Sequence, residues 1–238
     1  MKALVLAAGE GTRLRPLTDD RPKAMVEIGG APAIAHTLKW LRREGITDVA
    51  INLCYRPDVL TGFVGDGSAF GLRVTYSLER AALGTSGALG PLRGYFRGET
   101  AFIVVYGDEL TEMAITPVLD VHRAARADVT IVVTEIDDPS DAGIVEFLPD
   151  GLISRFVEKP RPSEVSSLWA NGGIYVCGPA VLEYVPQDEA RQDFAHEVFP
   201  AMLGDGRRLV AFPTREAVID FGTPERLSRA RAWMGSMP

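Results

Sequence analysis

Short apolar runs rich in Val and Ile alternate along the chain with stretches whose apolar residues recur at helical spacing. That is the pattern of a sheet covered by helices on both faces. Positions 2–7 are nearly all apolar and predict a buried first strand. A polar loop with Gly9, Gly11, Pro16 and Pro22 follows. Over 32–44, Ile34, Leu38 and Leu41 share one helical face, and Gly45 is a natural C-terminal stop. Strands are predicted over 48–53, 72–77, 101–106 and 129–134, with a helix over 117–126. Thr85 or Ser86 is expected to cap a helix running toward Tyr95.

Beyond residue 140 the pattern changes. Apolar runs over 144–147 and 153–158 flank Pro149-Asp150-Gly151, a hairpin turn signal. Further strands are expected over 170–176, 209–213 and 217–220. A closing helix is expected over 223–234, with Thr223 as its cap and Pro224 in the first helical position. With no linker, low-complexity segment or internal repeat, residues 1–238 read as one α/β domain. Its first half, 1–110, has a nucleotide-binding character and its second, 111–238, a mixed sheet.

Composition narrows the function. Hydrophobic residues make up 46% and charged residues 24%, ordinary for a soluble globular protein. No apolar run approaches the ~20 residues that span a bilayer. The opening Met1-Lys2-Ala3-Leu4-Val5-Leu6-Ala7-Ala8 is too short for a signal peptide and runs directly into Gly9-Glu10-Gly11-Thr12-Arg13. A cytoplasmic protein with no membrane partner is the expectation. The net charge of −7 argues against a nucleic-acid partner, which needs a basic face. Phosphate binding must therefore come from a few local cations and backbone amides. Cys54 and Cys177 lack CxxC spacing and are expected to be core thiols. His36, His122 and His196 fall on helical patterns and are expected to be structural or solvent-facing.

The segment from Leu6 to Thr18 leaves the first strand as Leu6-Ala7-Ala8-Gly9-Glu10-Gly11-Thr12-Arg13-Leu14. Its glycines allow close backbone approach to a ligand. Leu14 stands where a dinucleotide fingerprint needs a third glycine, and no Walker loop is present. Arg13 and Lys23 instead place two cations beside the glycine loop, which suits a triphosphate. On local features alone, a phosphate cradle and a solvated loop account for it equally well.

The separated motifs decide between them. Leu6 to Thr18 followed by Pro22-Lys23, then Leu83-Gly84-Thr85-Ser86-Gly87, Gly107-Asp108, Gly143, Glu158-Lys159-Pro160, Asn171-Gly172-Gly173 and Asp220-Phe221-Gly222-Thr223, closely resemble the sugar-1-phosphate nucleotidyltransferases in type and order. The chain departs from that pattern at Ala24, at Arg80-Ala81-Ala82 and at Tyr106-Gly107 before Asp108.

The resemblance implies a Rossmann-like nucleotidyltransferase fold, with a mostly parallel mixed central sheet flanked by helices. It implies transfer of a nucleoside monophosphate from a nucleoside triphosphate to a sugar 1-phosphate, with release of pyrophosphate. Leu6, Ala7, Ala8, Gly9, Gly11, Thr12, Arg13, Lys23, Gly84 and Thr85 would bind the nucleotide, and Gly143, Glu158, Lys159 and Asn171 the sugar phosphate. Asp108 and Asp220 would hold Mg2+, with helix capping or turn formation as the structural alternative for Asp220. Arg13, Lys23, Asp108 and Asp220 form the implied catalytic set. The second glycine segment is most similar to that of mannose- and heptose-phosphate guanylyltransferases, which leans the nucleotide to GTP. The absence of a hexapeptide repeat fits the short form of the family, and a homo-oligomer is compatible with it. A cytidylyltransferase acting on a phosphorylated alcohol and a catalytically silent binding homologue stay open as alternatives. The silent homologue predicts loss of the four catalytic residues, all of which are present.

Overall fold

The computed structural model describes residues 1–139 and 142–236. The first strand, β1 (Lys2–Leu6), precedes two short strands, β2 (Glu27–Ile28) and β3 (Ala31–Pro32). Helix α1 (Ala33–Arg43), strand β4 (Asp48–Leu53), helix α2 (Pro57–Val64) and strand β5 (Arg73–Leu78) follow. After two single helical turns, α3 (Gly84–Gly87) and α4 (Arg93–Phe96), come β6 (Phe102–Tyr106), β7 (Glu109–Thr111) and α5 (Thr116–Ala125). The remaining strands are β8 (Val129–Glu135), β9 (Gly143–Phe147), β10 (Ile153–Glu158) and β11 (Trp169–Cys177). A π-helical turn, Phe194–Val198, runs into α6 (Phe199–Gly204), followed by β12 (Leu209–Thr214), β13 (Val218–Asp220) and α7 (Pro224–Gly235).

The described chain divides into two compact units. The first comprises 1–82, 105–113 and the closing segment from 216, and the second comprises 83–104 and 114–215.

In the first unit β1 pairs parallel with β4, and β4 with β5. Ala3, Leu4 and Val5 are fully buried, as a strand covered on both faces requires. Helix α1 turns Ile34, Leu38 and Leu41 inward, each worth about 1.5–3 kcal/mol of burial. Its Trp40 anchors the helix by donating Nε1–H to the Met113 carbonyl at 2.8 Å. A separate cluster joins Leu14 of the glycine loop, Leu110 of β7, Phe221, and Leu227 and Ala230 of α7. The polar loop and the closing helix therefore rest on the same apolar floor.

In the second unit β9 and β10 form the antiparallel hairpin expected around Pro149-Asp150-Gly151. Strand β11 runs antiparallel to both β8 and β9, and β12 runs parallel to β8. In the main sheet, pairing is thus parallel among β1, β4 and β5 of the first unit and mixed in the second, while the short pairs β2–β3 and β7–β13 of the first unit are antiparallel.

Most predicted elements appear within a residue or two of their expected bounds. The helix capped by Thr85 or Ser86 does not. Only the turns α3 and α4 form there, neither with a side-chain cap. Thr85 instead donates its hydroxyl to Asp193 Oδ2 at 2.7 Å and accepts from Phe194 N–H at 2.9 Å. A distant strand-to-helix segment has outcompeted the local cap. Helix α2 was not foreseen, although Pro57 at its start is the usual signal. Cys177 is buried as expected, and burial pushes its thiol up, whereas Cys54 is only half-buried. Among the described residues, no helix is long and apolar enough to cross a membrane.

Candidate active site

Three separated segments of the first unit bring their charged residues to one place. Strand β13 pairs antiparallel with β7 so that Asp220 stands opposite Glu109, and Phe221 N–H donates to the Asp108 carbonyl at 3.2 Å. This short ribbon juxtaposes two aspartates that lie 112 positions apart in sequence. Asp108 reaches the ribbon through Gly107, whose N–H donates to Leu6 O at 2.9 Å beside the end of β1.

Lys23 is the centre of the group. It opens a 3-10 turn after Pro22, and its N–H donates to Gly9 O at 3.3 Å. Its ammonium contacts Asp108 Oδ2, stands 3.7 Å from Asp220 Oδ1 and lies 5.4 Å from the centre of the Phe221 ring. Only 12% of its side chain is exposed, so the charge is held rather than solvated. Arg13 converges on the same point. A Cβ added at Gly222 would stand 2.8 Å from both Lys23 Nζ and Asp220 Oδ1 and 3.1 Å from Arg13 Nη2. Glycine there keeps open the space on which these three groups close.

Asp220 does not cap α7. Thr223 does, accepting Arg226 N–H at 3.3 Å as its sequence position suggested. Asp220 Oδ1 accepts Gly222 N–H at 2.5 Å, a turn bond, and Oδ2 contacts the Arg226 guanidinium. Sequence reasoning missed Arg226, since an arginine in a first helical turn carries no motif of its own. Glu109 is half-buried as a residue, but its carboxyl is enclosed. Burial pushes that carboxyl well above the ordinary carboxylate range, and the charges of Asp220 and Asp108 add to the rise.

The glycine loop has internal work as well. Ala7 N–H donates to Asn52 Oδ1 at 2.7 Å, and Asn52 Nδ2 donates to the buried Glu79 at 2.8 Å. The Ala7 amide, expected to serve a ligand, is thus committed to the protein. Gly11 has φ +70, and an added Cβ would stand 2.9 Å from Lys23 Cβ. A side chain there would strain the loop and displace Lys23, a reason for glycine separate from ligand approach. Gly9 faces open space, and Leu6, Ala8 and Thr12 are partly or wholly exposed.

A metal is chemically reasonable here. Asp108 and Asp220 already share one cation, the Lys23 ammonium, which stands in for a positive ion between two carboxylates. Among the described residues no group of three or more His, Cys, Asp or Glu could hold a metal. Two carboxylates suit Mg2+, which completes its shell with phosphate oxygens and water.

The second unit carries a cavity of about 500 Å³ lined by Gly84, Glu158, Lys159, Arg191 and His196, among others. Gly143 abuts it, since an added Cβ would stand 2.5 Å from Glu158 Oε2. Three of the four expected sugar-phosphate residues are thereby together. Asn171 is the exception, because its amide donates to Tyr175 Oη at 2.8 Å and accepts Gly173 N–H at 3.1 Å. It holds a register shift in β11 rather than opening on the cavity. Gly84 lines this cavity with Glu158 and Lys159, and the Thr85 hydroxyl is engaged in both directions. Gly84 has φ +78, and an added Cβ would collide with the Gln192 carbonyl. Gly84→Ala is expected to cost about 1–3 kcal/mol of stability, read from a urea or thermal melt. An unchanged melt would show that the 83–87 turn yields freely.

Comparison with known proteins bears on the family and the fold. The family model described as nucleotidyl transferase matches residues 2–235. Mannose-1-phosphate guanyltransferase of Schizosaccharomyces pombe is 37% identical over 94% of this chain and 62% of its own length. Mannose-1-phosphate guanylyltransferase of Mycobacterium tuberculosis is 36% identical over 97% of this chain and 63% of its own. The chain therefore spans somewhat under two thirds of these curated relatives. Among solved structures, a Bacillus anthracis protein described as a glucose-1-phosphate thymidylyltransferase superposes with a TM-score of 0.89 at 27% identity, over 100% of this chain and 96% of that one. HddC from Yersinia pseudotuberculosis, solved with GMP-PN, gives 0.81 at 27% identity over 98% of each chain. These likenesses bear out the expected fold, a mixed, mostly parallel sheet flanked by helices.

Proposed function

Because the chain belongs to the nucleotidyl transferase family, we infer that it transfers a nucleoside monophosphate from a nucleoside triphosphate to a sugar 1-phosphate, releasing pyrophosphate. The observation that carries this reading is the meeting of Arg13, Lys23, Asp108 and Asp220 around Gly222, four residues from three segments. GTP is the favoured nucleotide, supported by the guanylyltransferase names of the similar curated proteins. A mannose-type sugar 1-phosphate follows on the same ground.

The attacking group is a phosphate monoester, largely dianionic at neutral pH because its second pKa is near ~6. It needs no strong general base, in keeping with the absence of histidine from the Lys23 group. A sugar-phosphate oxygen forms a bond to the α-phosphorus while the bond from that phosphorus to the β-phosphate bridge oxygen breaks. The electron pair leaves with pyrophosphate. Family members generally use a divalent metal, and Asp108 and Asp220 are the residues that would hold Mg2+. When bound, the ion supplies positive charge to the phosphate oxygens. Lys23 would contact the α-phosphate, and Arg13 would stabilise the departing pyrophosphate. In the second unit, Lys159 would anchor the sugar phosphate and Glu158 would accept from sugar hydroxyls. Two free cysteines support the cytoplasmic setting expected from the sequence.

A panel of triphosphates against sugar 1-phosphates, read as pyrophosphate release, tests the reading. GTP with mannose 1-phosphate is expected to be fastest, and no release from any pair would overturn it. Gly222→Ala is expected to lower turnover by roughly tenfold while the melt hardly moves, because its methyl would occupy the space shared by Lys23, Arg13 and Asp220. Wild-type turnover in that variant would mean the space is not used.

A further inference from the structure

Asp220 enters the proposed metal site already occupied. Oδ1 accepts Gly222 N–H and faces Lys23 Nζ, and Oδ2 contacts Arg226 Nη1. Arg226 is rooted for this contact. Its N–H is held by the Thr223 cap in the first turn of α7, and the helix is fastened to the apolar floor through Leu227 and Ala230. The side chains of Asp220 and Arg226 are only 27% and 33% exposed. The pair is thus half-shielded, unlike the freely solvated surface pairs that contribute little. Asp108 has the Lys23 ammonium as a contacting cation.

A divalent ion held by Asp108 and Asp220 would need at least one Asp220 oxygen, and each of those oxygens already has a cation or a turn N–H beside it. We propose that Arg226 is a built-in counter-ion that competes with the divalent metal for Asp220 and holds down the affinity of the metal-free site. The inference rests on the reading of Asp108 and Asp220 as the metal carboxylates. Its physical basis is plain. A guanidinium in contact with a carboxylate must be displaced or tolerated at short range by an ion of charge +2, and both are unfavourable in a partly shielded place. The arriving triphosphate changes the balance, since its oxygens offer Arg226 and Lys23 another anion. Arg226 is therefore a positioning residue that makes metal loading follow nucleotide loading.

The test uses Mn2+ alone, with no nucleotide and no turnover. Free Mn2+ is counted by electron paramagnetic resonance in titrations of the wild type, Arg226→Gln and Arg226→Lys. Arg226→Gln is expected to bind Mn2+ about tenfold more tightly than the wild type, because one nearby positive charge is gone. Arg226→Lys, which restores the charge, should return close to the wild-type value. Arg226→Met keeps the aliphatic stem and should match Arg226→Gln, which covers the case where the glutamine variant folds poorly. Equal or weaker Mn2+ binding in both neutral variants would overturn the counter-ion role. The same titration with Asp108→Asn and Asp220→Asn in the Arg226→Gln background separates the two ideas. If neither substitution weakens Mn2+, the metal reading itself fails. If both do while Arg226→Gln gains nothing, only the role of Arg226 fails.

Discussion

Asp108→Asn and Asp220→Asn are each expected to lose about a thousandfold in pyrophosphate release, roughly 4 kcal/mol of transition-state stabilisation. The double variant should lose little more than either single. The reason is the ribbon of β7 and β13, which sets both carboxylates against one ammonium. Groups that act as one unit are strongly non-additive, because removing either leaves the other without its shared purpose. Asn keeps the shape and removes the charge, so the turn bond from Gly222 N–H to residue 220 survives and the fold should hold. Extra Mg2+ should rescue the singles only in part. The measurement is pyrophosphate release across a Mg2+ titration for both singles and the double. Multiplicative losses would mean that the two aspartates serve different sites. Full activity in Asp220→Asn would reduce that residue to its turn bond and its contact with Arg226.

Arg13→Ala is expected to lower kcat by about a hundredfold, near 2.7 kcal/mol, with a smaller change in KM for the sugar phosphate. Arg13 reaches the space beside Gly222 from the glycine loop, and its charge matters most as the pyrophosphate departs. Arg13→Lys should recover only part of the loss, since a point charge does not reproduce a two-pronged guanidinium contact. Leu14, the neighbouring residue, is buried in the apolar floor and fixes the backbone, so Arg13→Ala should melt like the wild type. Steady-state kinetics for the three proteins decide the matter. Wild-type turnover in Arg13→Ala would return the residue to an ordinary exposed cation.

Alternation of short apolar runs with helical periodicity was enough to predict the longer strands of both units, because burial leaves few polar positions to blur the signal, whereas β2, β3 and β7, of two or three residues each, carry no such run. The cap of α7 was legible for the same kind of local reason, since Thr223 bonds a backbone N–H three residues on. Thr85 misled because a hydroxyl serves equally well as a local cap or as a distant partner, and only Asp193, brought near by the chain fold, decided which. Asn171 likewise has partners that the sequence does not announce. Its sequence context resembles a ligand-facing strand, but its amide was taken up by Tyr175 and Gly173.

The sequence by itself determined which residue types the site would contain, the order of its motifs, and most helices and strands, since these depend on composition and on spacing within a few residues. Tertiary structure alone decided that Lys23 would lie between Asp108 and Asp220, that Gly222 would leave the space those groups share, and that Arg226 would sit on Asp220. Those relations span up to about two hundred positions of chain. Their geometry comes from strand register and helix packing, for which no local pattern of residues is a substitute.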